Sequence, residues 1–139
     1  MAKLTLTVVS QEKQLLTTTV DSLTAPASEG EVTILPEHVP VFTRLSSGVL
    51  TYREGKTETE IVVSKGFMDV GPNNEVMVIV DTATHARDIS LEKAEAAIKA
   101  AEETMSRTED QRELLLAEAS LKQAMLELKV ARRSRRTTL

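Results

Sequence analysis

The chain lacks cysteine and tryptophan altogether among its 139 residues. Without cysteine there can be no disulfides, thiolate metal sites or thiol nucleophiles. The three aromatic residues, Phe42, Tyr52 and Phe67, are too few and too scattered to stack against bases. No run of about 18 apolar residues occurs, so no membrane-spanning helix is expected. The start, MAKLTLTVVS, lacks the pattern of a signal or transit peptide, so we expect an untargeted chain.

Glycine and proline are also missing from the chain after residue 72. All five glycines and four prolines lie within the first 72 residues. Up to residue 81, apolar residues alternate with polar ones or form short β-branched runs, as in strands. Beyond it they recur at three- and four-residue steps, as in amphipathic helices. We therefore predict an α+β protein: a β-sandwich or flattened barrel of about ten strands over 1–84, then an antiparallel two-helix hairpin over 85–139.

Several local features of these elements follow from the sequence. Within the run 75–81, residues 76–80 are apolar at both odd- and even-numbered positions. This pattern predicts a central strand buried on both faces. Ala25-Pro26 predicts a bend. Ser90 is the expected N-cap of the first helix, and Thr108 with Gln111 forms the pattern of a capping box for a second helix of about 24 residues.

The two helices carry alanine where a stable helical pair would carry leucine. Ala117, Ala124 and Ala131 lie seven residues apart on the second helix, beside Leu121 and Leu128. Alanine buries less apolar area than leucine, and each methylene contributes about 0.8 kcal/mol. We expect the hairpin to keep its helices while docking weakly, as a mobile element would.

Charge is distributed unevenly along the chain. Residues 1–84 hold six Lys/Arg against eleven Asp/Glu, a net charge of −5, whereas 85–139 hold eleven against ten, a net charge of +1. Near the end of the chain, Arg132, Arg133, Arg135 and Arg136 have no acidic neighbour between them. An acidic body with a basic end favours a polar protein partner over nucleic acid.

Glu37-His38 is the pair that most resembles a reactive site. Its flanking prolines, Pro36 and Pro40, predict a rigid, kinked loop that follows one strand and leads into the next. The only other histidine is His85, and the sequence contains no HExxH motif, nucleophile elbow or glycine-rich phosphate loop. With no third group, neither a catalytic nor a metal site is expected, and no cofactor.

The same stretch carries a family resemblance. The run GE-x-x-ILP-x-H-x-P-x-x-x-x-L-x-x-G, starting at Gly30, resembles the signature of the epsilon subunit of F-type ATP synthases. That family more often has Gly at the position of Thr33, and Gly or Asn at that of Glu37. The resemblance extends over the β part, the linker and the helical hairpin. It implies a non-catalytic subunit of the central stalk that couples ion transport to ATP synthesis.

The resemblance also implies partners for particular residues. Contact with the gamma subunit and the c-ring is expected from the loop and its flanks: Glu31, His38, Val41 and Phe42. Contact with the beta subunits of the catalytic head, which also contains alpha, is expected from the four arginines near the chain end. The hairpin would thereby inhibit ATP hydrolysis. The protein would be peripheral on the cytoplasmic face of a bacterial plasma membrane, reaching the membrane only through the complex.

Some relatives in that family bind ATP through an I/L-D-x-x-R-A motif at the start of the first helix. The matching residues here are Ile89, Ser90, Lys93 and Ala94, so the Asp and the Arg of the motif are both replaced. Gln123 and Glu127 stand where the second helix would carry arginines. Lysine lacks the planar fork of arginine, and a carboxylate repels phosphate, so we expect weak ATP binding or none.

Two other classes of function stay open at this point. The chain could be a free-standing β-sandwich adaptor whose basic hairpin binds an unrelated acidic protein. The third possibility is an enzyme, but the sequence lacks the groups of reactive residues that catalysis would require.

Overall fold

The computed structural model describes residues 2–137, with side chains to residue 135. Ten strands form one sheet: β1 (Leu4–Val9), β2 (Gln14–Val20), β3 (Ser22–Ala27), β4 (Gly30–Ile34), β5 (Val41–Leu45), β6 (Gly48–Glu54), β7 (Thr57–Val63), β8 (Gly66–Val70), β9 (Glu75–Val80) and β10 (Ala83–His85). A 3-10 turn (Ala86–Asp88) leads to α1 (Leu91–Arg107) and α2 (Gln111–Thr137). The chain divides after His85 into two compact units. The predicted α+β fold is confirmed.

The sheet is wrapped into a nearly closed, flattened barrel. Its strand order is β10-β7-β6-β3-β5-β8-β9-β1-β2, with β4 paired to β3. All pairs are antiparallel except β1 with β9, which run parallel from Thr5 opposite Glu75 to Val9 opposite Ile79. Wrapping gives every strand an inner and an outer face, so one apolar core fills the interior. The largest fully buried side chains of that core are Leu4, Leu6, Leu23, Ile34, Leu45, Leu50, Ile61 and Met68.

Hydrogen bonds join the corner between β2 and β3 to the hairpin of β6 and β7. Asp21 donates its backbone N–H to Arg53 O at 2.7 Å, and its carboxylate accepts from Gly55 N at 2.6 Å. The Asp21 carboxylate also pairs with Lys3 at 3.0 Å. The bond from Gly55 and the ammonium of Lys3 hold the pKa of Asp21 below its ordinary value. These contacts attach the edge strand β2 to the β6–β7 hairpin.

The strand β9 differs from the sequence expectation on one face. It is central, between β8 and β1, and Val76, Val78 and Val80 are buried as predicted. Met77 and Ile79, however, point outward and are 43% and 48% exposed. The expectation of burial on both faces was wrong because the sheet wraps around a single core, leaving the other face of β9 outside it.

The bend predicted at Ala25-Pro26 is also wrong. Pro26 lies inside β3, opposite Glu31 of β4, and its carbonyl accepts from Ser46 N at 2.8 Å. A proline is compatible with a strand where no partner needs its missing N–H. The chain instead turns at residues 28–29, and β4 then runs back along β3 and leads into the loop 35–40.

The second unit is the predicted antiparallel helical hairpin. Ser90 is the N-cap of α1, and its hydroxyl accepts from Lys93 N at 3.2 Å. The capping box proposed for α2 is wrong, because Asp110 is the capping residue: its carboxylate accepts from Arg112 N at 3.0 Å. Thr108 instead accepts from Asp110 N at 3.2 Å, in the turn between the helices. Helix α2 spans 27 residues, slightly longer than the predicted 24 or so.

Among the described residues of the two helices, the buried positions are five alanines and Val130. Ala94 and Ala101 of α1 are buried, as are Ala117, Ala124 and Ala131 of α2. The leucines beside them, Leu114, Leu121 and Leu128, are only half-buried. Small side chains let two helices pack closely but contribute little apolar area to the contact.

The first test concerns the close contact between β8 and β9. A Cβ added at Gly66 would lie 2.7 Å from Val80 Cα and still closer to the carbonyl oxygen of Ile79. Gly66→Ala should therefore force the two strands apart and lower the free energy of unfolding in urea by about 3 kcal/mol. Gly71→Ala is the matched control, since the nearest atom there lies at 3.5 Å. Equal stability of the two variants would contradict this account of the sheet.

Candidate functional site

The loop between β4 and β5, residues 35–40, is a tight turn that displays apolar side chains. His38 N donates to Leu35 O at 3.1 Å, closing a turn with Pro36 and Glu37 at its centre. Glu37 has φ 70°, the left-handed value that the third residue of a type II turn adopts. Val39, at 72%, and Leu35 are among the most exposed large apolar residues. The loop is therefore both fixed in shape and apolar at its surface.

The structure places the four residues expected to contact gamma and the c-ring in two groups. His38, Val41 and Phe42 lie together in the loop and the first residues of β5. Glu31 is exposed at the start of β4, three residues before that strand ends. Three residues of strand span about 10 Å, and within residues 2–135 no hydrogen bond or ion pair joins Glu31 to His38.

An apolar surface that the sequence did not reveal adjoins the start of β5. Cross-strand pairing aligns Phe42 with Asp69 and Met77, and Arg44 with Phe67 and Ile79, across β5, β8 and β9. The rings of Phe42 and Phe67 stack with centroids 5.4 Å apart, although these residues are 65% and 42% exposed. We call this surface the outer apolar patch: Phe42, Phe67, Met77 and Ile79. Only Phe42 was identified from the sequence; the signal for Met77 and Ile79 was the apolar run of β9, interpreted there as two-sided burial.

The imidazole of His38 takes part in a local contact. Its Nδ1 lies 2.7 Å from Val39 O, which holds the ring against the loop backbone. Neither His38 nor Glu37 belongs to any cluster of three potential metal-binding residues within the described part of the chain. The ring of His38 is therefore positioned by the backbone of its own loop.

Arginines near the end of α2 bond to residues around the start of α1. Arg132 pairs with Glu95 of α1 at 3.5 Å. Arg135 donates to Ile89 O at 2.8 Å and to Ala131 O at 3.4 Å. Arg133 is exposed, and the side chain of Arg136 lies outside the described residues. The basic end of α2 is thus attached to the beginning of α1 in this conformation.

The residues aligned with the ATP motif have structural roles here. The Ser90 hydroxyl caps α1, the Ile89 carbonyl accepts from Arg135, and Ala94 is buried. On α2, Gln123 donates to Glu127 at 3.3 Å. A groove along the hairpin is mostly apolar, and its charged residues are of both signs; it is lined by Ile98, Glu102, Leu121, Met125, Leu128, Lys129 and Arg132.

Comparison with known proteins identifies the family. The model of the β-sandwich domain of the ATP synthase delta/epsilon chain matches residues 3–86. The ATP synthase epsilon chain of Dehalococcoides mccartyi is 41% identical over 137 residues, covering 98% of this chain and 97% of that protein. The chain belongs to the ATP synthase epsilon family. The epsilon chain of Syntrophobacter fumaroxidans is 36% identical over 132 residues, covering 95% of this chain and 98% of the relative.

Solved structures share this fold over nearly the whole chain. A chain in the cryo-EM structure of the Euglena gracilis mitochondrial ATP synthase (OSCP/F1/c-ring) superposes with a TM-score of 0.68 at 23% identity, covering 100% of this chain and 83% of that one. A chain of the Tetrahymena thermophila mitochondrial ATP synthase central stalk/c-ring gives a TM-score of 0.62 at 14% identity, covering 94% and 97%. The arrangement of a sandwich followed by two helices is therefore shared with these proteins. Within residues 2–137, no helix is long and apolar enough to cross a membrane.

Weak or absent ATP binding is the expectation for this epsilon-family member. Calorimetric titration of the full chain with Mg-ATP should give no saturable heat at micromolar nucleotide. The reason is that Ser90 already serves as a helix cap and Glu127 places a carboxylate where phosphate would need a cation. Micromolar affinity would contradict this prediction. The variant Glu127→Arg serves as a comparison, since added positive charge should only strengthen any residual binding.

Proposed function

We propose that this epsilon-family chain is a non-catalytic subunit of the central stalk of an F-type ATP synthase. The β-sandwich binds gamma and the c-ring, so that rotation driven by ion flow is transmitted to the catalytic head. The observation that carries this proposal is the outer apolar patch, which lies beside the loop that bears the family motif. The same fold occurs in chains of two mitochondrial ATP synthase structures, an OSCP/F1/c-ring assembly and a central stalk with c-ring, which supports this assignment.

The outer apolar patch has the character of a protein contact surface. Exposed, contiguous apolar side chains with stacked aromatic rings are uncommon on a surface that faces only water. Arg44 and Asp69, in cross-strand register with Phe67 and Phe42, add charges of both signs. An apolar centre with charged neighbours is typical of interface composition. We assign this surface to gamma.

The adjoining loop is assigned to the c-ring. His38 is held against the backbone, and Leu35 and Val39 extend apolar side chains into solvent. Contact through a preformed loop requires little ordering when the partner binds. Glu31, set apart along β4, extends the contact as an exposed carboxylate. The subunit is then peripheral on the cytoplasmic face of the bacterial plasma membrane, attached through the complex, as its bacterial relatives favour.

The hairpin is proposed to regulate ATP hydrolysis. In the conformation described above, Arg132 bonds to Glu95 and Arg135 to Ile89 O, and the alanine contact between the helices contributes little apolar area. Exposed ion pairs of this kind contribute at most about 1 kcal/mol. An acidic surface on the beta subunits competes for the same arginines, so the hairpin opens and slows hydrolysis.

The assignment of the outer apolar patch to gamma is tested by substitution. Phe42→Ser removes one ring of the stacked pair and should weaken binding of the full chain to purified gamma about tenfold or more, measured by calorimetry. Lys56→Ser is the control, an exposed position in the turn between β6 and β7. Unchanged affinity of the Phe42→Ser protein would remove the patch from the interface.

The inhibitory role of the basic end is tested with two sets of charge variants in the assembled complex. Replacing Arg132, Arg133, Arg135 and Arg136 with glutamine should make ATP hydrolysis several times faster, because the hairpin loses its attraction for an acidic partner. The control replaces four other hairpin cations with glutamine, for an equal charge change: Lys93, Lys99, Arg112 and Lys122. Equal rates of ATP hydrolysis for the two sets of variants would contradict the proposal, because the location of the arginines near the chain end would then not matter.

A further inference from the structure

Two residues of the sandwich adopt a backbone conformation that favours glycine. Glu37 has φ 70° and Asn74 has φ 59°; within the described residues they are the non-glycine positions with positive φ. Asparagine is tolerated in this region because its side chain bonds locally, but glutamate is not a residue that usually occupies it. The conformation of Glu37 therefore needs support from its surroundings.

That support comes from Asn74, which lies 37 positions further along the chain. Glu37 N donates to Asn74 Oδ1 at 2.7 Å, and Asn74 Nδ2 donates to Glu37 Oε1 at 3.3 Å. The Asn74 side chain thus satisfies both the backbone amide and the carboxylate of one residue.

Asn74 is itself fixed to the sheet. Its carbonyl accepts from Thr5 N at 2.8 Å, at the start of the pairing between β1 and β9. Gly71 N donates to Glu75 O at 2.8 Å, which closes the turn that carries Asn74. Two residues after that turn, β9 presents Met77 of the outer apolar patch. The Glu37–Asn74 pair consequently joins the loop 35–40 to the strand that forms the neighbouring surface.

We propose that Asn74 is a positioning residue for rotor binding: through Glu37 it holds the loop 35–40 in a fixed place beside the outer apolar patch. It touches neither partner itself. The inference rests on the proposed function, because it assigns a shared purpose to the two surfaces that were assigned above to gamma and the c-ring. To bind both partners at once, the subunit must hold its two contact surfaces at a fixed distance and orientation. A mobile loop would have to be ordered on binding, which would lower the affinity.

The test compares two neighbouring asparagines. Asn74→Gly removes both side-chain bonds while glycine still accepts positive φ. Asn73→Gly is the matched control, since Asn73 is exposed in the same turn and makes no side-chain hydrogen bond among the described residues. In the full chain, Asn74→Gly should speed hydrogen exchange at the Glu37 amide about tenfold and weaken binding to a detergent-solubilised gamma–c-ring subcomplex about threefold to tenfold. Asn73→Gly should do neither.

A double variant separates positioning from a general loss of structure. Asn74→Asp combined with Glu37→Gln reverses the direction of one bond, because the side-chain amide introduced at position 37 can donate to the carboxylate introduced at position 74. That carboxylate can still accept from the backbone N–H of position 37. This variant should regain amide protection and affinity close to those of the unmodified protein. The proposal would be overturned if the double variant unfolds at the same temperature as the unmodified protein but regains neither amide protection nor affinity.

The binding results distinguish this inference from the function on which it rests. In one outcome, Phe42→Ser weakens binding, whereas Asn74→Gly speeds exchange at the Glu37 amide and leaves binding unchanged. Asn74 then has no positioning role. If neither variant changes binding, the assignment to the rotor has failed and the positioning role with it. If the Glu37 amide stays protected in Asn74→Gly, the pair does not hold the loop.

Discussion

The parallel pairing of β1 with β9 is the interaction on which most of the sandwich depends. It joins residues about 70 positions apart and is the one parallel pair in the described sheet. Such a contact forms only after a long loop has closed, at an entropic cost that local hairpins avoid. Once formed, it places β9 inside the sheet, leaves Met77 and Ile79 on the outer face, and anchors Asn74 through Thr5 N.

The two units are stabilised in different ways, and the difference suits the roles proposed for them. In the sandwich, leucine, isoleucine, valine and methionine side chains fill a closed core, so its surfaces are held rigidly. In the hairpin, the most buried positions along the helices include five alanines, and the ends are joined by an exposed ion pair and a bond to one carbonyl. Good helix formers keep each helix intact, while little apolar area holds one against the other.

Local patterns in the sequence predicted most of the fold. Alternation marked the strands, the prolines marked the loop 35–40, and Ser90 marked the start of α1. The errors arose where two local solutions were equally good: Asp110 and Thr108 are both competent caps, and Pro26 fits a strand as well as a bend. The sequence could not distinguish a strand buried on both faces from one with an apolar outer surface. That distinction depends on how the whole sheet wraps.

The candidate site shows the same limit more clearly. His38 and Phe42 could be named from the motif, but Phe67, Met77 and Ile79 join Phe42 only through strand pairing. The contact between Glu37 and Asn74 spans 37 residues and that between Arg135 and Ile89 spans 46. Neither contact leaves a periodic pattern in the sequence, because each forms only when the fold brings two distant segments together. In the functions proposed above, the first contact holds a loop still and the second occupies one of the arginines that a partner would need. Fixed and releasable contacts in one chain are what a rotor subunit with a regulatory hairpin requires.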